Sequence, residues 1–348
     1  MRVLNLFLKI EGKTILAAID FFMVLANIVK KARNEQYTPF PEFETLLVNF
    51  NKEDNFSPAI LYFGDSVLLR ISREDVQKDT LDQMLANKVK NKYSILSIAH
   101  TAYHMLVYRG FIRILQSTLF RPKIVILPIN LRSFSPQWDF NPAWQFQNEI
   151  QTLESYRTTA STKVVPSDKL RSDSWLYKLY DLILINYPIV GCKFIGYFRK
   201  IIRSVPENES QYRSRLMNIF IFHYFFPLAE NHLKLIALGE SLKLLRDLKV
   251  AVVAYVTPIN WQAGVKYVGN DFIEMIKMNI NVVSDTVFSY YGKDNIKFAD
   301  LSMILDSSSF FSEDNATEHL NQEGREILSS RIENIILGIE DIQDTRTV

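Results

Sequence analysis

Gly64, Asp65 and Ser66 end an apolar run that begins at Ile60. An apolar run rich in strand-forming residues and closed by a glycine predicts a buried strand followed by a tight turn. Open α/β folds bind their ligands at the carboxyl edge of the sheet, and the turn would present the serine hydroxyl there. A serine in this position is a candidate nucleophile if a histidine can accept its proton. The tripeptide alone is a weak signal, so the hypothesis depends on its partners.

His319 is the candidate for that base. The sequence contains only five histidines, and this one lies in Glu-His-Leu-Asn, after the last predicted strand and before the terminal helix. A histidine on that loop would lie at the same edge of the sheet as Ser66. The alternative interpretation is a histidine that only caps the helix or packs against it.

The other four histidines are not expected to carry chemistry. His100 and His104 have the i, i+4 spacing of metal ligands, but no third ligand is evident and their neighbours are aromatic. His223 and His232 lie in aromatic helical sequence and are expected to be interior or boundary residues. We therefore predict no metal site, and we predict no cofactor because no glycine-rich phosphate loop follows any strand.

Polar side chains also follow two of the other predicted strand ends. Asn130 ends the third strand, and its amide could donate a hydrogen bond to an oxyanion. The alternative is an asparagine that simply forms a turn. Arg70 and Arg132 come shortly after two strand ends and are candidates for binding an anionic substrate group. The alternative for both arginines is a solvent-facing position at the start of a helix.

Five short apolar segments predict the strands that must position these residues. The segments are residues 59–63, 93–98, 123–129, 249–256 and 296–299. Helical patterns alternate with them, at residues 75–90, 102–116, 227–248, 272–288 and 320–337. This alternation predicts an α/β fold with a parallel sheet wrapped by helices and right-handed crossovers.

Two stretches lie outside this alternation. Residues 1–50 predict a helical N-terminal extension that precedes an α/β domain at 51–340. The interval between the third and fourth strands is about 120 residues long, several times the length of a normal connection. We predict a mostly helical insertion at 133–245, which could cover the sheet edge as a lid.

The composition excludes several classes of function. It is 48% hydrophobic and 22% charged, as in ordinary globular proteins, and a net charge of +2 gives no reason to expect a nucleic-acid partner. The single cysteine, Cys192, excludes an intrachain disulfide and a cysteine-cluster metal site, and it fits a reducing compartment.

An apolar run at residues 14–29 raises the question of a membrane. It contains Asp20 and is shorter than the ~20 residues that a bilayer span needs. No small-residue cleavage site of the signal-peptide kind follows it. We expect a packed amphipathic helix in a cytoplasmic protein, with a peripheral membrane anchor as the alternative, and the oligomeric state is left open.

The order of these strand ends resembles the sequence blocks of the SGNH hydrolases, also called the GDSL esterase/lipase superfamily. The first strand ends in Gly-Asp-Ser, the second in Ser-Ile-Ala-His and the third in Pro-Ile-Asn, and the last loop carries His-Leu-Asn. The resemblance covers roughly residues 58–131 and 249–337. It implies a three-layer, flavodoxin-like fold with a five-stranded parallel sheet, to which the helical extension and the insertion are added.

The resemblance also implies roles for individual residues. Ser66 corresponds to the nucleophile and His319 to the base. The oxyanion hole would be formed by backbone amides of Ser66 and of the turn at Ala99 and His100, together with the side chain of Asn130.

This chain departs from the family pattern at two positions that matter for the chemistry. Ala99 stands where the family has a glycine, and Ala316 stands where the family has an aspartate three residues before the histidine. The catalytic acid is therefore open: Asp314 is the first candidate, and Glu318 and Asp306 are the alternatives. Some members of the superfamily work with a serine–histidine dyad.

The activity that the resemblance implies is carboxylic ester hydrolysis or acyl transfer, and O-acyl groups of a carbohydrate are one candidate substrate. Aromatic residues of the insertion, such as Trp138, Trp144 and Trp175, could grip a sugar or an acyl chain. The alternative is a non-catalytic binding or assembly protein that retains the fold. A nucleotide-binding α/β protein is a weaker third alternative, because the glycine-rich phosphate loop is missing.

Overall fold

The computed structural model describes residues 59–116, 121–139, 144–160, 204–292 and 295–344. Several predictions fall outside these residues: the N-terminal extension at 1–50, the apolar run at 14–29, Trp175 and Cys192.

The described residues contain one parallel five-stranded sheet. Its strands are β1 (Ile60–Gly64), β2 (Ile95–Ala99), β3 (Ile124–Ile129), β4 (Ala251–Val256) and β5 (Ile296–Asp300). The strand order is β2-β1-β3-β4-β5, and every neighbouring pair is parallel. The prediction of an α/β fold with a five-stranded parallel sheet is confirmed. Because all strands run in one direction, their carboxyl ends meet at a single edge.

Helices connect the strands. They are α1 (Ser66–Leu69), α2 (Leu81–Val89), α3 (Met105–Ile114), α4 (Pro136–Asp139), α5 (Gln147–Ala160), α6 (Glu209–Tyr224), α7 (Leu233–Asp247), α8 (Trp261–Val268), α9 (Asp271–Tyr291) and α10 (Gln322–Asp344). Two 3-10 turns, Leu131–Phe134 and Ser307–Ser309, follow the ends of β3 and β5.

Helices cover both faces of the sheet. Successive strand side chains point to opposite faces. On one face, Ile60 and Tyr62 join a buried cluster with α2 and α10, which pack against each other. On the other face, Phe63 packs against Tyr108 and Phe111 of α3, and α7 packs against both α3 and α9. Burial of both faces explains why the three central strands, β1, β3 and β4, are continuous apolar runs.

Helix α2 begins later than the sequence predicts. The prediction started the helix at residue 75, but the structure starts it at Leu81. The reason is that Asp75 is engaged elsewhere, since its carboxylate accepts hydrogen bonds from the backbone amide of Ser72 and from Arg325. Thr80 then starts the helix with a capping box, in which its amide donates to the side chain of Gln83.

The described parts of residues 133–245 are largely helical and contain α4, α5, α6 and all but the end of α7. Helix α7 belongs to the layer formed with α3 and α9, so the last part of the predicted insertion is the crossover helix that leads into β4. In the part of the chain that the structure describes, no helix has the length and apolar character needed to cross a bilayer.

Candidate active site

Ser66 is the first residue of α1 and follows β1 after a single residue, Asp65. The carboxylate of Asp65 caps this helix by accepting a hydrogen bond from the amide of Val67 at 2.8 Å. The helix folds back so closely that a Cβ on Gly64 would lie 2.4 Å from the side chain of Leu68. Only glycine therefore permits this direct passage from strand to helix, which leaves Ser66 at the carboxyl edge of the sheet.

His319 lies against this serine. Its Nε2 is 3.0 Å from Oγ of Ser66, although the two residues are 253 positions apart in the chain. The loop that carries the histidine is held by two further contacts: the amide of His319 donates to Oγ1 of Thr317, and its carbonyl accepts from the amide of Phe311. The structure thus brings the two predicted residues into hydrogen-bonding distance.

The surroundings of His319 favour the neutral imidazole. Partial burial lowers the pKa of its ring, and the positive charges of Arg132 and Arg70 lower it further, while the charge of Glu318 raises it. The net shift is downward. A neutral ring with its proton on Nδ1 leaves the Nε2 lone pair available, so that Ser66 can donate its hydroxyl proton to it.

Asn130 lies at the same edge and is bonded to the residue next to the serine. Its Nδ2 donates to Oδ2 of Asp65 at 2.9 Å, and its Oδ1 accepts from the amide of Arg132 at 3.0 Å. The Nδ2 group has a second hydrogen, so this contact does not use up its capacity to donate to an oxyanion.

Asp65 is a component of the site that the sequence analysis did not single out. It is buried, and burial raises its pKa to about 6, against the opposing effect of the hydrogen bonds from Val67 and Asn130. A carboxylate buried in this way fixes both the start of α1 and the amide of Asn130. The sequence contains one signal for this role: Asp65 directly follows an apolar strand. A buried aspartate at such a place must accept hydrogen bonds from nearby donors.

The turn after β2 lies beside β1, since Ala99 pairs in register with Gly64. The amide of His100, which was a predicted oxyanion donor, donates to the carbonyl of Gly64 at a long distance of 3.4 Å. That amide is therefore directed at the neighbouring strand. The His100 side chain is exposed, and Ala102 in the same turn has a left-handed φ of 68°.

Two of the three candidate acids, Asp314 and Asp306, are bonded to residues other than the histidine. Asp314 is partly exposed and forms an ion pair with Lys266 at 2.7 Å, and this contact lowers the pKa of the carboxyl. Asp306 is exposed and accepts a hydrogen bond from Gln262 at 2.9 Å. The structure therefore does not place either carboxylate behind His319.

Glu318 is buried, but it too is bonded to other partners. Its Oε2 accepts from Arg132 at 2.8 Å, and its Oε1 accepts from the hydroxyl of Tyr224. Among the described residues, no carboxylate forms a hydrogen bond with the ring of His319, so the geometry is that of a serine–histidine dyad.

The two arginines that were candidates for substrate binding have different surroundings. Arg132 is largely buried and donates to Glu318 and to the carbonyl of Ala316. Burial opposes its charge, but the carboxylate of Glu318 outweighs this effect and raises the pKa of Arg132. Arg70 is exposed, and its amide donates to the carbonyl of Ser66. Of these two side chains, only Arg70 faces solvent to a large extent.

The aromatic side chains in the segment 133–160 pack mainly against one another and against the turn after β2. Trp138 is buried and lies 5.1 Å from the ring of Trp144, whose carbonyl is hydrogen-bonded to the ring of His104. Phe146 lies 4.9 Å from Tyr103 in an edge-to-face contact. Trp138 therefore contributes to packing, and only Trp144 of this pair retains intermediate exposure.

No protein-family model matches the chain, and a search of the curated proteins finds no relative. The fold and the site together define an α/β protein that carries a serine–histidine pair and a nearby asparagine at the carboxyl edge of a parallel sheet.

Proposed function

We propose that the protein is a serine-dependent ester hydrolase or acyltransferase of the SGNH type. The observation that carries this proposal is the 3.0 Å distance between Nε2 of His319 and Oγ of Ser66, at the sheet edge where α/β proteins bind ligands. The sheet order and the position of Asn130 beside this pair support the same proposal.

In the proposed reaction, His319 takes the hydroxyl proton of Ser66 as the serine oxygen attacks the ester carbonyl carbon. The carbonyl oxygen becomes an oxyanion, to which the amide of Asn130 and the backbone amide of Ser66 would donate. His319 then gives its proton to the departing alkoxide as the carbon–oxygen bond breaks. Water or an acceptor hydroxyl next loses a proton to His319 as it attacks the acyl carbon. The bond between this carbon and Oγ of Ser66 then breaks, and His319 returns its proton to Oγ, which regenerates the free serine.

A carbohydrate O-acyl group remains the candidate substrate within this proposal. The observation that supports this substrate is the exposed aromatic ring of Phe311, whose centre lies 5.5 Å from that of His319. Aromatic surfaces of this kind suit either a sugar face or an acyl chain.

The alternative proposal is a non-catalytic binding protein that retains the fold. The observations that favour it are that no carboxylate of the described residues is bonded to the ring of His319, and that the His100 amide is engaged with Gly64. A dyad lacks the carboxylate that normally orients the base, and a weakened oxyanion hole removes a large contribution to catalysis.

An active-site-directed fluorophosphonate separates these two proposals. We expect the folded wild-type protein to be labelled, and mass spectrometry to locate the label on Ser66, because the neighbouring base activates this hydroxyl. Ser330 lies on α10 and is partly exposed, and no histidine in the described part of the chain is bonded to its hydroxyl, which donates to the carbonyl of Glu326, so Ser330→Ala should be labelled like the wild type. A folded wild-type protein that takes up no label would favour the binding protein.

Removing the two exposed acids should have little effect. We expect Asp314→Asn and Asp306→Asn each to keep the labelling rate within about twofold of the wild type, because their carboxylates are bonded to Lys266 and Gln262. Labelling rates measured across pH check this expectation. A tenfold or larger loss in either variant would mean that the loop rearranges and that the acid contacts His319 during the reaction.

A further inference from the structure

The carboxylate of Glu318 is buried one residue before the candidate base. Glu318 is 3% exposed, and its two oxygens accept from different partners, Arg132 at 2.8 Å and the hydroxyl of Tyr224. Burying a carboxylate without hydrogen-bond or charged partners destabilises the folded state by several kcal/mol. Contacts of this kind therefore determine where the segment that carries the carboxylate can lie.

The two partners come from elements that are distant in the chain. Arg132 lies in the 3-10 turn that follows Asn130, and it also donates to the carbonyl of Ala316. Tyr224 is the last residue of α6, within the predicted insertion. Glu318 therefore joins three segments: the turn that carries the candidate oxyanion donor, the helix from the insertion and the loop that carries His319.

The same carboxylate also acts on the base electrostatically. Its charge raises the pKa of His319, whereas burial and the charges of Arg132 and Arg70 lower it. General base catalysis by a histidine creates an imidazolium, and a fixed negative charge nearby stabilises that cation. An aspartate bonded to the ring normally supplies this charge in a triad, but the structure has no such aspartate among the described residues.

We propose that Glu318 is the positioning residue of His319, and that Arg132 and Tyr224 hold its carboxylate where it fixes the base-bearing loop and stabilises the imidazolium through its charge. The proposal rests on the proposed function of the Ser66–His319 pair. On this proposal the insertion contributes to the site, because Tyr224 of α6 is one of the two groups that hold Glu318.

The first test compares two charge-removing variants with opposite expected effects. Glu318→Gln should lower the pKa of His319, since a negative charge is lost and Arg132 is left without this counter-charge. Arg70→Gln should raise the pKa of His319, since a positive charge is lost. Nuclear magnetic resonance titration of the histidine rings measures both shifts directly, and a His319→Asn spectrum identifies the resonance.

Opposite shifts of the pKa of His319 in the two variants would exclude a general loosening of the site. Such a loosening would bring the pKa of the ring closer to its ordinary value in both variants. The groups facing His319 in this titration are Ser66, Glu318, Arg132, Arg70 and the ring of Phe311. An unchanged or raised pKa of His319 in Glu318→Gln would overturn the proposal.

Labelling kinetics give the functional counterpart. In Glu318→Gln we expect the maximal fluorophosphonate labelling rate to fall by about tenfold or more, because the imidazolium loses its stabilising charge. The acid limb of the pH profile should move to lower pH in the same variant. A wild-type maximal rate in Glu318→Gln would overturn the proposal.

The second test concerns Tyr224. Tyr224→Phe keeps the ring, which packs against Phe272, and removes only the hydroxyl that donates to Glu318. We expect faster amide hydrogen exchange in residues 316–320 in this variant. Tyr212→Phe on the same helix is the matched control and should exchange like the wild type, since Tyr212 is only partly buried. Unchanged exchange at 316–320 in Tyr224→Phe would refute the role of α6.

These measurements separate the two proposals from each other. If the folded wild-type protein takes up no fluorophosphonate, the proposed function fails, while the titration and the exchange data still decide whether Glu318 sets the pKa and the order of the His319 loop. If the wild type is labelled but the pKa of His319 does not fall in Glu318→Gln, the positioning role fails and the proposed function stands.

Discussion

Replacing His319 by asparagine should lower the rates of ester hydrolysis and of fluorophosphonate labelling by about a thousandfold or more. The variant retains the size of a polar side chain but removes the Nε2 atom that lies 3.0 Å from the serine oxygen. Without that acceptor, the hydroxyl of Ser66 keeps its proton at neutral pH and is a weak nucleophile.

The size of the loss should not depend on which member of the pair is removed. Ser66→Ala, His319→Asn and the double variant should show similar residual rates, because the two residues act as one unit and their effects are not additive. Rates measured on a p-nitrophenyl ester, with folding checked by circular dichroism, test this expectation. Asp314→Asn serves as the control on the same loop. If His319→Asn kept more than a tenth of the wild-type rate, another group would have to be the base.

The largest expected effect on stability is that of Arg325→Met. Arg325 in α10 is completely buried, and its guanidinium donates to the carboxylate of Asp75 at 2.7 Å. It also donates to backbone carbonyls of the segment before α2 and of the loop before α10, at Gln77, Asp79 and Leu320. Methionine fills a similar volume but removes the only cation bonded to the buried carboxylate of Asp75 among the described residues, which then keeps just the amides of Ser72 and Gln322 as donors. We expect a loss of about 3–5 kcal/mol in the free energy of unfolding, measured by urea titration.

Arg331→Met provides the matched control. Arg331 lies on the same helix but is exposed, so its replacement should change the free energy of unfolding by no more than about 0.5 kcal/mol. A loss in Arg325→Met as small as that of the control would contradict a stabilising role for this ion pair.

The effect of Arg325→Met should also depend on pH. Burial alone would raise the pKa of Asp75, but the hydrogen bonds from Arg325 and from the amides of Gln322 and Ser72 outweigh it and lower the pKa. Because the pKa of Asp75 is lowered in the folded state, the stabilisation that its ionised carboxylate provides is complete at neutral pH. This stabilisation is lost as the pH falls below about 4. The difference in stability between the wild type and Arg325→Met should therefore narrow in acid.

The parts of this fold that follow from local sequence were predictable. The three central strands, β1, β3 and β4, are short apolar runs because both faces of the sheet are covered there, so burial itself leaves a continuous signal. The ends of parallel strands must meet at one edge. For that reason, residues after three different strands, Ser66, Asn130 and His319, could be placed together without knowledge of the structure.

The contacts that surround the base were not predictable. Glu318 is bonded to residues 186 and 94 positions away, and no local pattern indicates such partners. Asp314 was favoured as the acid because of its place in the sequence, but Lys266 of α8 binds it. Helix α8 itself was not predicted, since it is only eight residues long and its signal is a single capping residue, Asn260.

The separation of 253 residues between the serine and the histidine has a consequence for protein synthesis. Ribosomes add about 5–20 residues per second, so the segment with Ser66 waits for about 13–50 s before His319 has been made. A nascent chain in this interval contains the serine hydroxyl but not yet His319. Under the proposed function, reactivity of Ser66 toward esters should therefore begin only after His319 has been synthesised and its loop has reached the edge of the sheet.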